Sequence, residues 1–180
     1  MKKKLERIIE IPSGTQISFN NGELIVKNSG KEIRKKIDTK EVLITLDNNS
    51  IKISSEKATK RESKMVGTIW AHINNMIKGM NEDFIYKLEI CNIHFPMNVK
   101  VEGDSVVIKS FLGEKIPRKA KIMPNTKVEI KGNQIIVSSY NLEFAGQTAS
   151  NIEKATKLTG KDRRVFQDGI FITEKCGEKI

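Results

Sequence analysis

Cysteine, histidine and the aromatic residues are all scarce in this 180-residue chain, and each scarcity closes off a class of function. Two cysteines, Cys91 and Cys176, cannot build the disulfide framework of a small secreted scaffold. Cys91-x-x-His94 has a metal-like spacing, but a tetrahedral zinc site needs four ligands and the chain offers one further cysteine. Both cysteines and both histidines, His72 and His94, therefore read as structural. No apolar run approaches the roughly 20 residues of a membrane-spanning helix. The basic opening Met1-Lys2-Lys3-Lys4 runs into Glu6, Arg7 and Glu10, where a signal peptide would need an apolar core. The expectation is a soluble, cytoplasmic protein with no membrane partner. Also missing are a nucleophile elbow, a phosphate-cradling glycine loop followed by Lys-Ser, and a paired-carboxylate motif. Neither an enzyme nor a cofactor or metal is expected. An RNA-processing enzyme would have to draw its acid–base pair from His72 or His94. Seven Phe, two Tyr and one Trp do not supply the stacking platform of a single-strand binder.

Positive charge, by contrast, is plentiful. Thirty-two basic residues against 22 acidic give a net charge of +10 and a pI near 9.6, a balance that favours polyanions. The cations are grouped. Lys115, Arg118, Lys119 and Lys121 surround Pro117, and Lys154, Lys157, Lys161, Arg163 and Arg164 follow one another further on. Such groups displace counterions from a nucleic-acid backbone, and arginine can clamp a phosphate through two parallel hydrogen bonds. Gln147, Thr148, Ser150 and Asn151 offer donors for phosphate and ribose 2′-OH groups, although a solvated helix face fits that pattern as well. A third basic stretch, Lys31, Arg34, Lys35, Lys36 and Lys40, is interleaved with Glu32, Asp38 and Glu41 and reads as a screened surface. With few aromatics and no helix-turn-helix, the expected partner is structured RNA read by shape and backbone, not DNA.

The chain also repeats itself. Ile11-Pro12, Gly22, Leu24-Ile25-Val26-Lys27 and Gly30-Lys31-Glu32-Ile33 return as Phe95-Pro96, Gly103, Val106-Val107-Ile108-Lys109 and Gly113-Glu114-Lys115-Ile116. Asn49-Ser50-Ile51-Lys52-Ile53-Ser54 is echoed by Asn133-Gln134-Ile135-Ile136-Val137-Ser138, and Val66-Gly67-Thr68 by Ala145-Gly146-Gln147. Pattern and order together indicate two copies of one small domain, residues 1–81 and 82–180.

Within the first copy, strands are expected at 7–11, 16–19, 23–27, 32–37, 42–46 and 50–53. Asn20-Asn21-Gly22 and Asp47-Asn48-Asn49 supply turn residues. Val66, Ile69, Ile73, Met76, Ile77 and Met80 recur at helical steps and predict a helix from about 56 to 78, stopped at Gly79, with Trp70 joining the core from the edge of the stripe. In the second copy, strands are expected at 84–90, 99–102, 105–110, 114–120, 127–130 and 134–138. A helix should run from 142 to 158 and end near Gly160, and a last strand covers 170–172. The fold class is α+β: two tandem similar domains, each an antiparallel sheet packed against one main helix.

The tail carries a resemblance. Lys161-Asp162-Arg163-Arg164-Val165-Phe166-Gln167-Asp168-Gly169-Ile170, followed by Phe171-Ile172-Thr173-Glu174-Lys175, closely resembles the ending of the ribosomal protein L6 family of the large subunit, archaeal branch. Gly146-Gln147-Thr148-Ala149-Ser150-Asn151-Ile152 is similar to the start of that family's second-domain helix. The resemblance implies a built-in ribosomal protein bound to large-subunit rRNA near the sarcin-ricin loop and the base of the factor-recruiting stalk. It also implies neighbouring ribosomal proteins, and translation factors at the stalk base, as partners. It places the main rRNA contacts on the second domain, at Lys157, Lys161, Arg163 and Arg164, with Gln147 and Asn151 nearby. Asp162 and Asp168 would organise the loop by capping or by pairing with the arginines. Two departures are visible: Phe171 stands where relatives often have Tyr, and Thr159-Gly160 replaces a stretch often more basic. A free-standing RNA-binding regulator remains the alternative.

Overall fold

The computed structural model describes residues 3–20, 22–28, 30–37, 42–47 and 50–180, in two compact units, Met1–Glu82 and Asp83–Ile180. The expected turn residues Asn21, Asn48 and Asn49, the opening Met1 and Lys2, and the charged residues Asp38, Lys40 and Glu41 lie outside the described residues.

In the first unit the strands are β1 (Lys3–Glu10), β2 (Gln16–Asn20), β3 (Glu23–Asn28), β4 (Lys31–Lys36), β5 (Leu43–Asp47) and β6 (Ser50–Ala58). They form two antiparallel sheets, β1-β6-β5 and β2-β3-β4, where sequence periodicity suggested one. Alternation tells which side chains face inward, but not which strands share a ladder. Gly22 closes the β2–β3 hairpin at φ 78° and accepts from the Ile37 N–H at 2.7 Å, a left-handed position open to glycine without strain.

The helix α1 (Lys60–Asn81) covers this unit's core. It opens on a capping box: Arg61 N–H donates to the Thr59 hydroxyl at 3.3 Å, and Thr59 N–H donates to the Glu62 carboxylate at 2.7 Å. The Thr59 bonds hold the Glu62 carboxyl below its ordinary pKa. Val66, Ile69, Ile73, Met76, Ile77 and Met80 are buried as the stripe predicted, against Ile9, Leu24, Val26, Ile51 and Ile53. The expected stop at Gly79 is not used. Gly79 stays helical and buried, because one more turn brings Met80 into the core, and burying a methionine outweighs a helical glycine's cost of about 1 kcal/mol. Trp70 is 37% exposed rather than in the core, with the Arg7 guanidinium 5.1 Å from its ring centroid.

The second unit repeats the plan. β7 (Phe84–Cys91), β12 (Gln134–Ser139) and β11 (Lys127–Lys131) are paired in the order of β1, β6 and β5, and β8 (Asn98–Glu102), β9 (Ser105–Lys109) and β10 (Arg118–Lys121) in that of β2, β3 and β4. To β7 are added β13 (Gly169–Lys175) and β14 (Glu178–Lys179). The expected strand at 114–120 shortens to β10. Phe111–Gly113 is a tight helical turn, Gly113 has φ 77°, and Pro117 has no N–H for a ladder, so the chain joins the sheet only at Arg118.

The second helix, α2 (Leu142–Ala155), is capped by Asn141, whose side chain accepts from Glu143 N–H at 2.9 Å. It buries Ala145, Thr148, Ala149 and Ile152 against Leu88, Val106, Ile108, Ile135 and Ile170. It ends earlier than residue 158 because its last turn is used on β13. The outward N–H groups of Ile170 and Ile172 donate to Thr156 Oγ1 at 2.9 Å and Glu153 Oε1 at 3.3 Å, so side chains from the helix end satisfy the strand's free edge.

A consequence follows for Thr156→Val. It leaves the buried Ile170 N–H without an acceptor and is expected to cost about 1–3 kcal/mol. Hydrogen exchange at the Ile170 amide should quicken, and Thr156→Ser should restore protection. Unchanged exchange in Thr156→Val would rule this edge contact out as a stabilising one.

Candidate nucleic-acid interface

The end of α2, the segment 157–168 and the turn before β10 come together in the second unit. Arg118 joins them. Its guanidinium pairs with Glu114 at 2.5 and 2.8 Å, donates to Ala155 O at 2.9 Å and Lys157 O at 3.4 Å, and lies 4.4 Å from the centroid of the Phe111 ring. A cation on the last carbonyls of α2 complements the helix dipole and fixes the direction in which the chain leaves. The Arg118 pair also holds the Glu114 carboxyl below its ordinary pKa.

Lys154, Lys157 and Arg163 line a single open cleft of about 370 Å³ beyond the helix end. All three are exposed, and none is in an ion pair among the described residues. Glu153 and Asp168 line the same cleft, but Glu153 accepts from the Ile172 N–H and Asp168 is held by Ile93 and His94. Three cations thus outnumber two engaged acids and the local potential stays positive, the arrangement that attracts phosphates.

One buried acid fixes the far wall. Asp168 is 2% exposed; its Oδ1 accepts from the Ile93 and His94 N–H groups at 2.7 and 2.9 Å, and its Oδ2 meets His94 Nδ1 at 2.5 Å. Burial opposes ionisation, but the His94 side chain and the two backbone donors outweigh it and hold the Asp168 pKa at about 2. His94 then stacks on Phe166, ring centroids 5.2 Å apart, and the Lys161 ammonium lies 4.4 Å from the centroid of the same ring. Asp162 instead takes Arg164, whose guanidinium and N–H reach it at 2.9 Å; this pairing lowers the Asp162 pKa and raises that of Arg164.

The residues picked from the sequence therefore divide. Lys154, Lys157 and Arg163 converge, Lys161 joins them through Phe166, and Arg164 stays exposed while tethered to Asp162. Lys115 is exposed in the turn before β10, and Lys119 alternates with Arg118 and so lies on the other face of that strand. Arg118 itself is a brace inside the protein, its donors already engaged by Glu114 and the helix carbonyls. Gln147 and Asn151 are used similarly: Gln147 Nε2 donates to Asn151 Oδ1 at 2.7 Å and Asn151 Nδ2 to Lys121 O at 2.9 Å, tying α2 to β10. Thr148 is buried, its hydroxyl accepting from Met123 N–H at 3.1 Å. The first-unit basic stretch is partly neutralised, since Glu32 takes Lys27 at 3.3 Å and Arg34 at 2.5 Å.

Sequence reasoning missed the His94–Asp168 clamp and the wall it builds with Phe166. Asp168 was expected to organise the loop by capping or by pairing with the arginines; it caps the Ile93 and His94 N–H groups, and its side-chain partner is His94. That contact spans 74 residues, and no local pattern announces it. Burial, with Glu89 and Asp168 nearby, raises the Cys91 thiol pKa. Among the described residues no group of three or more His, Cys, Asp or Glu could hold a metal ion, and no helix is long and apolar enough to cross a membrane.

Comparison with known proteins adds a second line. The model of the family described as ribosomal protein L6 matches residues 7–83 and again 95–169, the first match running through the first unit and ending one residue past it, the second lying within the second unit. Large ribosomal subunit protein uL6 of Methanococcus vannielii is 46% identical over 172 residues, covering 96% of this chain and 94% of the relative. The protein of the same name from Methanobrevibacter smithii is 44% identical over 167 residues, covering 93% and 94%. That from Aeropyrum pernix is 46% identical over 168 residues, covering 93% and 92%.

Proposed function

The chain belongs to the ribosomal protein L6 family, and from that premise we propose that it serves, as a constituent of the large ribosomal subunit, to bind large-subunit rRNA through the cations at the end of α2. It is a structural protein of translation in the cytoplasm and not an enzyme. The observation that carries the binding role is the convergence of Lys154, Lys157 and Arg163, in no ion pair among the described residues, on one cleft of a strongly basic chain, where they outnumber the two acids Glu153 and Asp168. Lys161 and Arg164 extend that surface along the segment after the helix, and Lys115 and Lys119 add exposed charge in the turn before β10 and on the outer face of that strand. Arg118, Gln147 and Asn151 act one step back: they hold α2, β10 and the departing chain in place so that the cations keep their spacing.

The mechanism is electrostatic and mechanical. Phosphates of neighbouring rRNA segments are neutralised at the cleft with release of counterions, and a body of packed sheets and helix fixes where those segments lie. The position assigned to this contact is near the sarcin-ricin loop and the base of the stalk, with neighbouring ribosomal proteins and translation factors as further partners. The test is sedimentation of a tagged copy from native lysate through a magnesium-containing sucrose gradient, followed by a high-salt wash. Migration with the large subunit that survives the wash is the expected result. Recovery only in the light fractions, with a tag shown not to block assembly, would replace this reading by that of a free RNA-binding protein.

A further inference from the structure

We propose that the cleft at the end of α2 receives one unstacked nucleotide of the bound RNA, its base against Phe171 and Leu158 and its phosphate among Lys154, Lys157 and Arg163. This rests on the rRNA reading of the surface and adds to it a single site at which a base, and not only the backbone, is held. Backbone phosphates can be met by cations on a flat or convex face. Here the cations share a recess of about 370 Å³ with Leu158, Phe166 and Phe171, a size in the range of small-ligand sites, and its two acids, Glu153 and Asp168, are engaged by protein donors. Aromatic and aliphatic side chains beside cations match the two halves of a nucleotide, a π-face and an anion.

The recess is also built in advance. Phe166 is held from outside by the His94 stack and the Lys161 ammonium, so it serves as a fixed wall. Phe171 is the ring left to stack. It is half-buried and lies over Gly169, where a Cβ would come within 3.0 Å of the ring's Cζ; a glycine is what lets the ring settle there. Thr156 and Glu153 are pinned to β13 by the bonds to Ile170 and Ile172. Walls already ordered leave little entropy to be lost when a base enters.

The experiment is an NMR titration of the full chain with adenosine, guanosine, cytidine and uridine 5′-monophosphates, and with ribose 5-phosphate as the probe without a base. Shifts are expected at Phe171, Phe166 and Thr156, with at least one nucleotide bound about 5- to 100-fold more tightly than ribose 5-phosphate, the range that base–aromatic stacking supplies. Phe171→Ala should erase that difference and leave ribose 5-phosphate binding intact. Phe171→Leu, which keeps the bulk and removes the π-face, should do the same and guards against a variant that fails to fold. Equal affinity for all five probes, or a preference that survives both substitutions, would overturn the proposal. Binding of the wild-type chain to large-subunit rRNA is measured beside it. rRNA bound without base preference sinks the nucleotide cleft alone, whereas base preference in a chain that does not hold rRNA sinks its assignment to RNA.

Discussion

Replacing Lys154, Lys157 and Arg163 together by glutamine is expected to weaken rRNA binding roughly 100-fold near physiological salt. The figure follows from counterion release. Each phosphate contact contributes about 0.7–0.9 to the slope of log K against log salt, which at about 0.15 M is a factor of about four to five per contact. Three such factors multiply to about two orders of magnitude, and the slope itself should flatten by about 2–3. Thermal unfolding should barely change, because none of the three is in an ion pair among the described residues and surface charges of this kind contribute little to stability. The comparison that makes the result specific is a second triple, Lys100, Lys127 and Lys175 to glutamine, which removes the same charge from exposed positions on β8, β11 and β13. If both triples lose affinity equally, the chain binds through net charge and the end of α2 has no special role. Arg164 is left in place because Asp162 already holds its guanidinium, so its removal mixes a lost phosphate contact with a freed acid.

Much of this molecule was legible in the chain, and the illegible part has a common cause. Strand positions and the α1 stripe follow periods of two and 3.6 residues, and those are local signals: Ile51 and Ile53, or Val66, Ile69 and Ile73, announce their burial by spacing alone. The duplication was visible for the same reason. What local pattern could not give was the partner of a side chain. Arg118 read as a phosphate ligand because it sits in a basic run, yet its decisive contacts, Ala155 O and Lys157 O, lie 37 and 39 residues away. Asn151 finds Lys121 O across 30 residues. Rings from distant parts of the sequence also come together, His94 stacking on Phe166 and Phe166 lining one cleft with Phe171. Local propensity also misjudged Gly79, where a tertiary contact of Met80 decided the helix end.

Asp168→Asn is expected to cost the second unit about 2 kcal/mol at pH 7 and almost nothing near pH 2. Its carboxyl is held at about 2 in the folded chain against an ordinary value of 3.8. A lowered folded-state pKa means that the unfolded chain takes up the proton first as pH falls. The stabilisation is therefore fully present above pH 4 and is lost as pH drops from about 4 towards 2, and a shift of this size corresponds to roughly 2 kcal/mol. Asparagine keeps an oxygen for the Ile93 and His94 N–H groups but loses the charge that faces His94 Nδ1, so the variant isolates the electrostatic part. The readout can be confined to the right unit: both tyrosines, Tyr86 and Tyr140, lie in the second unit, and the single tryptophan, Trp70, lies in the first. Urea unfolding followed by tyrosine emission should show a gap between wild type and variant that closes below pH 4. A gap that stays constant down to pH 2 would mean that Asp168 contributes by shape and not by charge. The functional effect follows from what the acid positions. Without its charge His94 is released, Phe166 loses the ring stacked on it, and the wall of the cleft loosens while every cation remains. Affinity for rRNA should then fall with the salt slope unchanged, which separates this variant from the charge-removing triple.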